Sequence, residues 1–214
     1  MRVFARKGLK RARMSDVAKE MKVSHGTLYN YVESKEALFY LLVDRGGQGG
    51  GRGLPAGLPV RTPSRPLMLR RLEEQIENTF VLRKLDEALK RRRVRDARKE
   101  LEEIVRELYA RTEETRGGAS VIERSALDLP ELFRVFFVKV RRNLFARLTA
   151  YVEQRIKLGH FRPLPDPAVA ARVILEAVTF FARHRHSDPD PMPMDEEAVR
   201  ETTVRMLVHA LIKP

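Results

Sequence analysis

Val23-Ser24-His25-Gly26-Thr27-Leu28-Tyr29-Asn30-Tyr31-Val32-Glu33-Ser34-Lys35-Glu36-Ala37-Leu38 is the stretch whose reading decides the fold of this chain. Ser24 is a helix-capping residue, because its hydroxyl can accept from the free N–H groups two or three residues further on. Leu28, Tyr31 and Val32 then supply the inner face of a short helix. Ser34 caps another, with Glu36 in its electropositive first turn and Leu38, Leu41 and Leu42 as an apolar stripe running to about Arg45. Upstream, Val17, Ala18 and Met21 recur at helical spacing from Met14, and Lys22 and Val23 make the break. Two short helices joined this tightly form a helix-turn-helix unit, whose second helix can enter a major groove. In that reading His25, Thr27, Tyr29 and Asn30 point outward and Gly26 keeps the helix entry free of bulk. Leu28 and Val32 anchor the helix, and Lys35 is placed to neutralise a phosphate.

Beyond this unit the chain changes character. Seven of its twelve glycines lie between Gly46 and Gly57, with Pro55, Pro59, Pro63 and Pro66 among or after them. Such a stretch is expected to carry little regular structure and to act as a flexible linker. The expected organisation is therefore a head over residues 1–45, a linker over 46–66 and a body over 67–214. The head holds ten basic and five acidic residues, whereas the body holds twenty-nine basic and twenty-four acidic. The surplus that gives the chain its net charge of +13 is densest in the head, which points to a polyanionic partner.

The residues Phe4 to Gly8, Ser15-Asp16-Val17-Ala18 and the Val23 to Leu38 stretch resemble the TetR family of one-component transcriptional repressors over roughly residues 4 to 45. The resemblance implies a head that binds a palindromic DNA operator, and a variable body that binds a small effector and dimerises through its last two long helices. It implies phosphate contacts at Thr27, Tyr29 and Lys35, and places His25, Asn30 and Tyr31 in or beside the base-reading surface. Two departures stand out. Family members usually carry a longer segment before the position of Phe4, so the first helix is expected here as a stub. They commonly have glycine where Lys22 stands, at a turn favouring positive φ, and a side chain there costs on the order of 1 kcal/mol.

The body reads as all-helical. No glycine or proline interrupts Leu67 to Arg116, and helices are expected at about 67–91 and 94–115. On the second, Lys99 with Glu103 and Glu107 with Arg111 read as a solvated face. Gly117 and Gly118 open an expected irregular stretch up to Pro130, followed by an apolar-rich helix from about Glu131 to Leu158, stopped by Gly159. Asp166-Pro167 starts a helix reaching roughly to His186, and Asp195, Glu196 and Glu197 open the last one.

A short recognition helix buries too little DNA surface alone, so a twofold partner and a homodimer are expected. The candidate interface is Ala170, Ile174, Val178 and Phe181 against Val199, Met206, Leu207 and Ala210, two helices from each chain making a bundle. Phe80, Ile104, Leu108, Tyr109, Phe133, Phe136, Phe137 and Phe145 offer apolar surface, and Phe80, Ile104, Leu108, Tyr109, Phe133 and Phe137 are the candidates to line a pocket for a small hydrophobic effector.

Composition excludes several other classes. Hydrophobic residues at 43% and charged ones at 33%, over 214 residues, rule out a disordered tail. The absence of cysteine removes disulfides and thiol chemistry and is what a cytoplasmic compartment permits. No stretch approaches the roughly eighteen uncharged apolar residues of a membrane span. The basic N-terminus also admits reading as an organelle-targeting segment, though it lacks the serine-rich character of one. The linker glycines lack the Lys-Ser/Thr ending of a phosphate-binding loop. His184, His186 and Asp188 suggest a metal cluster, but residues two apart on a helix diverge, so a solvated helix end is the plainer reading. Lys90 to Arg93 with Arg95 reads as a solvated junction. No catalytic constellation, metal site or cofactor is implied. The rival readings are a sequence-tolerant basic DNA-coating protein and a helical small-molecule-binding protein with a vestigial head.

Overall fold

The computed structural model describes residues 1–46, 57–91 and 93–213. Among them every regular element is a helix, apart from two isolated β-bridges. In chain order these are α1 (Arg2–Arg11), α2 (Met14–Met21), α3 (His25–Tyr29), α4 (Lys35–Gly46), α5 (Arg65–Thr79), α6 (Arg83–Lys90), α7 (Ala97–Glu114), α8 (Arg116–Ala126) and α9 (Pro130–Phe133). A π-helical stretch, Arg134–Arg141, leads into α10 (Arg142–Lys157), and α11 (Pro167–Ala182) and α12 (Glu196–Leu211) follow. The all-α fold with an N-terminal helix-turn-helix is as the sequence implies. The chain divides into two compact units, Met1–Thr79 with Glu114–Val140, and Phe80–Glu113 with Arg141–Pro214. These do not coincide with the expected head, linker and body, because α5, α8 and α9 belong with the first four helices.

In the first unit α1 packs chiefly along α8, and α4 lies against α1, α5 and α8. Helix α1 is split at Gly8, whose φ of 71° and ψ of 173° are backbone angles open essentially to glycine alone. The helix before the split is short, Arg2 to Lys7, and buries Val3 and Phe4, with the Phe4 ring edge-on to Phe39 at 5.9 Å. A β-carbon on Gly8 would stand 3.1 Å from the Arg124 carbonyl oxygen, so the glycine also sets how closely α1 and α8 approach. The Leu9 amide, freed by the kink, donates to the Ser125 hydroxyl at 3.0 Å. Gly117 and Gly118, expected in an irregular stretch, lie inside α8. A glycine disfavours a helix by roughly 1 kcal/mol, and packing of the α8 face outweighs it: Ala119, Val121, Ile122 and Ala126 are all buried.

The second unit encloses the larger core, which includes Leu85, Leu101, Ile104, Leu148, Tyr151, Ile174, Val178 and Val204. Its α10 packs on α6 and α11, and α11 on α12. The helix expected at 67–91 is two helices, because the chain breaks at Phe80 to Leu82 and Glu107 caps the second piece. The Glu107 carboxylate accepts from the Arg83 and Lys84 amides at 3.0 and 2.8 Å. Glu107 is thus a structural cap and not part of a free face, and Glu103 pairs with Lys84 at 3.1 Å. Asp166 accepts from the Ala168 amide at 2.7 Å and Asp195 from the Ala198 amide at 2.8 Å, starting α11 and α12 where expected. Helix α11 ends at Ala182, and His184–Ser187 forms a separate 3-10 turn. Gly159, at φ 76°, ends α10 with two closing bonds, Gly159 amide to Ile156 carbonyl and His160 amide to Arg155 carbonyl.

Candidate nucleic-acid interface

The helix-turn-helix is built by local capping. Lys22 takes the left-handed conformation at φ 56° and ψ 38°, and the Val23 amide bonds the Ala18 carbonyl, so the chain reverses within two residues of α2. Ser24 accepts from the Thr27 amide at 3.1 Å and shares a 2.7 Å hydrogen bond with the Thr27 hydroxyl. Leu28 and Val32 are buried, whereas Ser24, His25, Gly26 and Asn30 are exposed and Thr27 is half-buried. Tyr29 stands 42% and Tyr31 52% exposed, so the sequence assignment of Tyr31 to the inner face is corrected. Helix α3 ends at Tyr29, and helical spacing no longer governs the residue two positions on. The His25 and Tyr29 rings meet edge to face at 5.2 Å. A β-carbon on Gly26 would meet only the Ser24 hydroxyl at 3.9 Å, so nothing inside the chain requires glycine there and the open space faces outward.

Ser34 begins α4 by accepting from the Ala37 amide at 3.0 Å. Lys35 is half-buried, its ammonium 3.4 Å from the Lys10 carbonyl that it donates to. Much of the head's positive charge is spent internally. Arg2 and Arg6 face Glu20 at 3.4 and 3.5 Å, Lys7 meets Asp16 at 2.9 Å, and Arg11 meets Asp128 at 2.8 Å. The Lys7 ammonium, followed by the Arg13 amide, holds the Asp16 carboxyl below its ordinary value. Exposed Lys10, Arg13, Lys19 and Lys22, with Lys35, carry positive charge at the surface.

The segment after the glycine run is tied to this surface, contrary to the expectation of little structure; the expected linker positions 47–56 lie outside the described residues. The Val60 amide donates to the Tyr31 carbonyl at 2.8 Å and the Glu33 amide to the Val60 carbonyl at 2.9 Å, making a parallel bridge between Val32 and Val60. The Thr62 amide donates to Glu33 Oε2 at 2.6 Å, and the Thr62 and Ser34 hydroxyls share a 2.6 Å bond. The Thr62 amide, with help from its hydroxyl, lowers the Glu33 carboxyl below its usual range.

Residues 1–40 match the family described as bacterial regulatory proteins, tetR family. The head is that of the tetR family. Solved structures extend the likeness over the whole length. The ketosteroid transcriptional regulator KstR2 of Mycobacterium tuberculosis aligns at 14% identity and TM-score 0.58, over 99% of this chain and 90% of its own. A tetR-family bacterial regulatory protein from Rhodococcus RHA1 aligns at 18% identity and TM-score 0.56, over 98% and 90%. AibR, solved with isovaleryl coenzyme A and operator DNA, aligns at 17% identity and TM-score 0.53, over 97% and 92%. No curated protein matches the sequence.

Elsewhere the TetR-like body departs in detail from its sequence reading. Of the expected interface residues, Ile174 and Val178 are buried in the second unit's own core, where α11 meets α10 and α12. The outward seam of α11 runs instead through Val169, Val173 and Phe180, all exposed, because the helix turns its 174/178 side to the core. Phe181, Val199, Met206, Leu207 and Ala210 do line one open apolar groove of about 500 Å³, together with Val173 and Ala177; Ala170 is half-buried beside the core. Of the expected pocket residues, Ile104, Leu108 and Tyr109 are core residues of the second unit, with Phe80 packed against them. Phe133 and Phe137 belong to the first unit, their rings 4.9 Å apart. The Tyr109 hydroxyl is buried without a hydrogen-bond partner among the described residues, and burial pushes it up.

Sequence reasoning missed the buried charge. Arg155 is wholly buried, its Nε 2.7 Å from Glu100 Oε1 and its Nη2 2.8 Å from the Ala88 carbonyl, with the Tyr151 hydroxyl donating to the same carboxylate oxygen at 3.2 Å. Among the described residues no group of side chains could hold a metal ion, and no helix is long and apolar enough to cross a membrane. His186 lies 4.0 Å from Glu196, and His184 shares a 3.0 Å bond with Arg183. Arg91 pairs with Glu87 at 3.2 Å, so the basic junction is partly neutralised.

Proposed function

We propose that this chain is a homodimeric transcriptional repressor that binds a palindromic DNA operator and is released by a small hydrophobic effector. The observation that carries the reading is the outward set His25, Tyr29, Asn30 and Tyr31 on a serine-capped helix after a left-handed Lys22, in a head that matches the family. Tyr29, Thr27 and Lys35 fix the register on phosphate, while His25, Asn30 and Tyr31 meet or flank base edges. Two copies place two such helices on successive turns of one duplex face. The exposed apolar groove of α11 and α12 supports the dimer, since an apolar surface of this kind on a lone protomer is costly in water. AibR holds both operator DNA and isovaleryl coenzyme A, and a shared fold supports an effector-responsive body here. An effector acts by preferring a body shape in which the two heads are wrongly spaced.

The test is selection of duplexes from a randomised pool by the full chain, repeated with Tyr29→Ala, Lys35→Ala and Asn30→Ala. A twofold-symmetric site should be enriched. Tyr29→Ala and Lys35→Ala should weaken binding broadly, and Asn30→Ala should relax preference at one base position by about 1–3 kcal/mol. A monomeric protein that enriches no symmetric site at low salt would falsify the reading.

A further inference from the structure

The segment that follows the glycine run does more than connect. Between Val60 and Thr62 it is fixed to the turn after α3 by two backbone hydrogen bonds, one amide-to-carboxylate bond and one hydroxyl-to-hydroxyl bond, all between 2.6 and 2.9 Å. Ties on residues 60 and 62 leave residue 61 between them no freedom to swing as a loop residue does. The alternation of an extended strand turns neighbouring side chains to opposite sides. Val60 sits half-buried at its bridge with buried Val32, and Pro59 and Arg61 are exposed. Arg61 is thereby held exposed one residue beyond the bridge to Val32, with its charge near Glu33, on the segment bonded to the turn that carries exposed Tyr31.

Glu33 is the obstacle on that surface, since a carboxylate near a phosphate is repelled. The strap answers it twice. The Thr62 amide and hydroxyl occupy the carboxylate, and the Arg61 charge lies close enough to stabilise it further. We infer that the 58–62 strap is a second DNA-contacting element, with Arg61 binding a backbone phosphate of the duplex beside the recognition helix. A guanidinium suits this role because its planar fork matches two phosphate oxygens. The site rests on the DNA-binding reading above and adds to it a contact from outside the helix-turn-helix.

The experiment measures binding of the full chain to a pool of random-sequence duplexes by fluorescence anisotropy across a salt series, for wild type, Arg61→Ala, Arg61→Lys and Lys35→Ala. Removing one phosphate contact should weaken binding several-fold and make the slope of log affinity against log salt shallower by about 1 for each protomer engaged. Arg61→Ala should show both effects and Arg61→Lys should recover most of the slope. Wild-type affinity and slope in Arg61→Ala, with a weakened Lys35→Ala, overturns the strap contact and leaves the head reading standing. Failure of the wild type to bind the pool at low salt removes both.

Discussion

The Leu9 amide donates to the hydroxyl of Ser125 across 3.0 Å, and the same hydroxyl donates to the Val121 carbonyl at 2.7 Å, so one buried serine joins the kink of α1 to a turn of α8. The donor is a backbone N–H that Gly8 has taken out of the helical ladder, and no water reaches it.

Replacing Ser125 by alanine should therefore leave that amide unsatisfied and destabilise the protein by about 1–3 kcal/mol, read as a lower urea midpoint at unchanged slope. An unchanged midpoint would show that the bond contributes nothing.

Gly8→Ala should cost more than an alanine elsewhere in α1. The angles at Gly8 cost a side chain about 1–3 kcal/mol, and its β-carbon would also press on the Arg124 carbonyl at 3.1 Å. Thermal unfolding should place the Gly8→Ala midpoint clearly below the wild type, and an unchanged midpoint would show that neither the angles nor the close approach matters.

The strap should respond to acid. The Glu33 carboxyl is lowered in the folded state, mainly by the Thr62 amide, relative to an unfolded value of about 4.3. Its contribution is complete above that unfolded value and is lost as pH falls through the lower folded one. The Thr62 amide resonance should follow this titration, and in Glu33→Gln the acid-dependent movement should vanish. A resonance indifferent to pH in the wild type would contradict the bond.

The helix-turn-helix was legible because its signals are local: Ser24, Ser34 and the apolar positions around them act within four residues of themselves. Capping aspartates Asp166 and Asp195 were legible for the same reason. Tertiary partners were not. Nothing near Gly117 in sequence shows that α1 lies along it, so two glycines read as a break. Arg155 and Glu100 each look like solvated charges on amphipathic helices, and only packing of α10 on its neighbours makes them a pair. Periodicity placed an apolar seam on α11 but could not choose between the sides centred on Val173 and Ile174, one residue apart and about 100° around the helix.

Met206→Glu should separate the proposed dimer without unfolding the protomer. Met206 is 68% exposed in the α11 and α12 groove, so a charge there is harmless alone and unacceptable when covered. Sedimentation should give half the wild-type mass with unchanged helical circular dichroism. A wild type already monomeric, or a variant that stays dimeric, would move the interface elsewhere.

Arg155→Met should destabilise less than Glu100→Ala. Removing the carboxylate strands a wholly buried guanidinium and should cost about 3–5 kcal/mol, whereas methionine replaces the charge with a flexible apolar chain of similar length but leaves Glu100 without its cation. The double variant Arg155→Met, Glu100→Leu should recover much of the loss, which calorimetry can read. A loss in the double variant equal to the sum of the two single losses would mean that the pair is not coupled.

Because Val3, Phe4 and Leu9 are buried in a unit where α1 packs along a helix that begins at Arg116, the N-terminal head of this protein is not a detachable cassette. Grafting positions 1–45 onto a foreign body would strip that shelter and leave a sticky, half-melted fragment. Swaps intended to retarget such regulators should carry α5, α8 and α9 along with the first four helices.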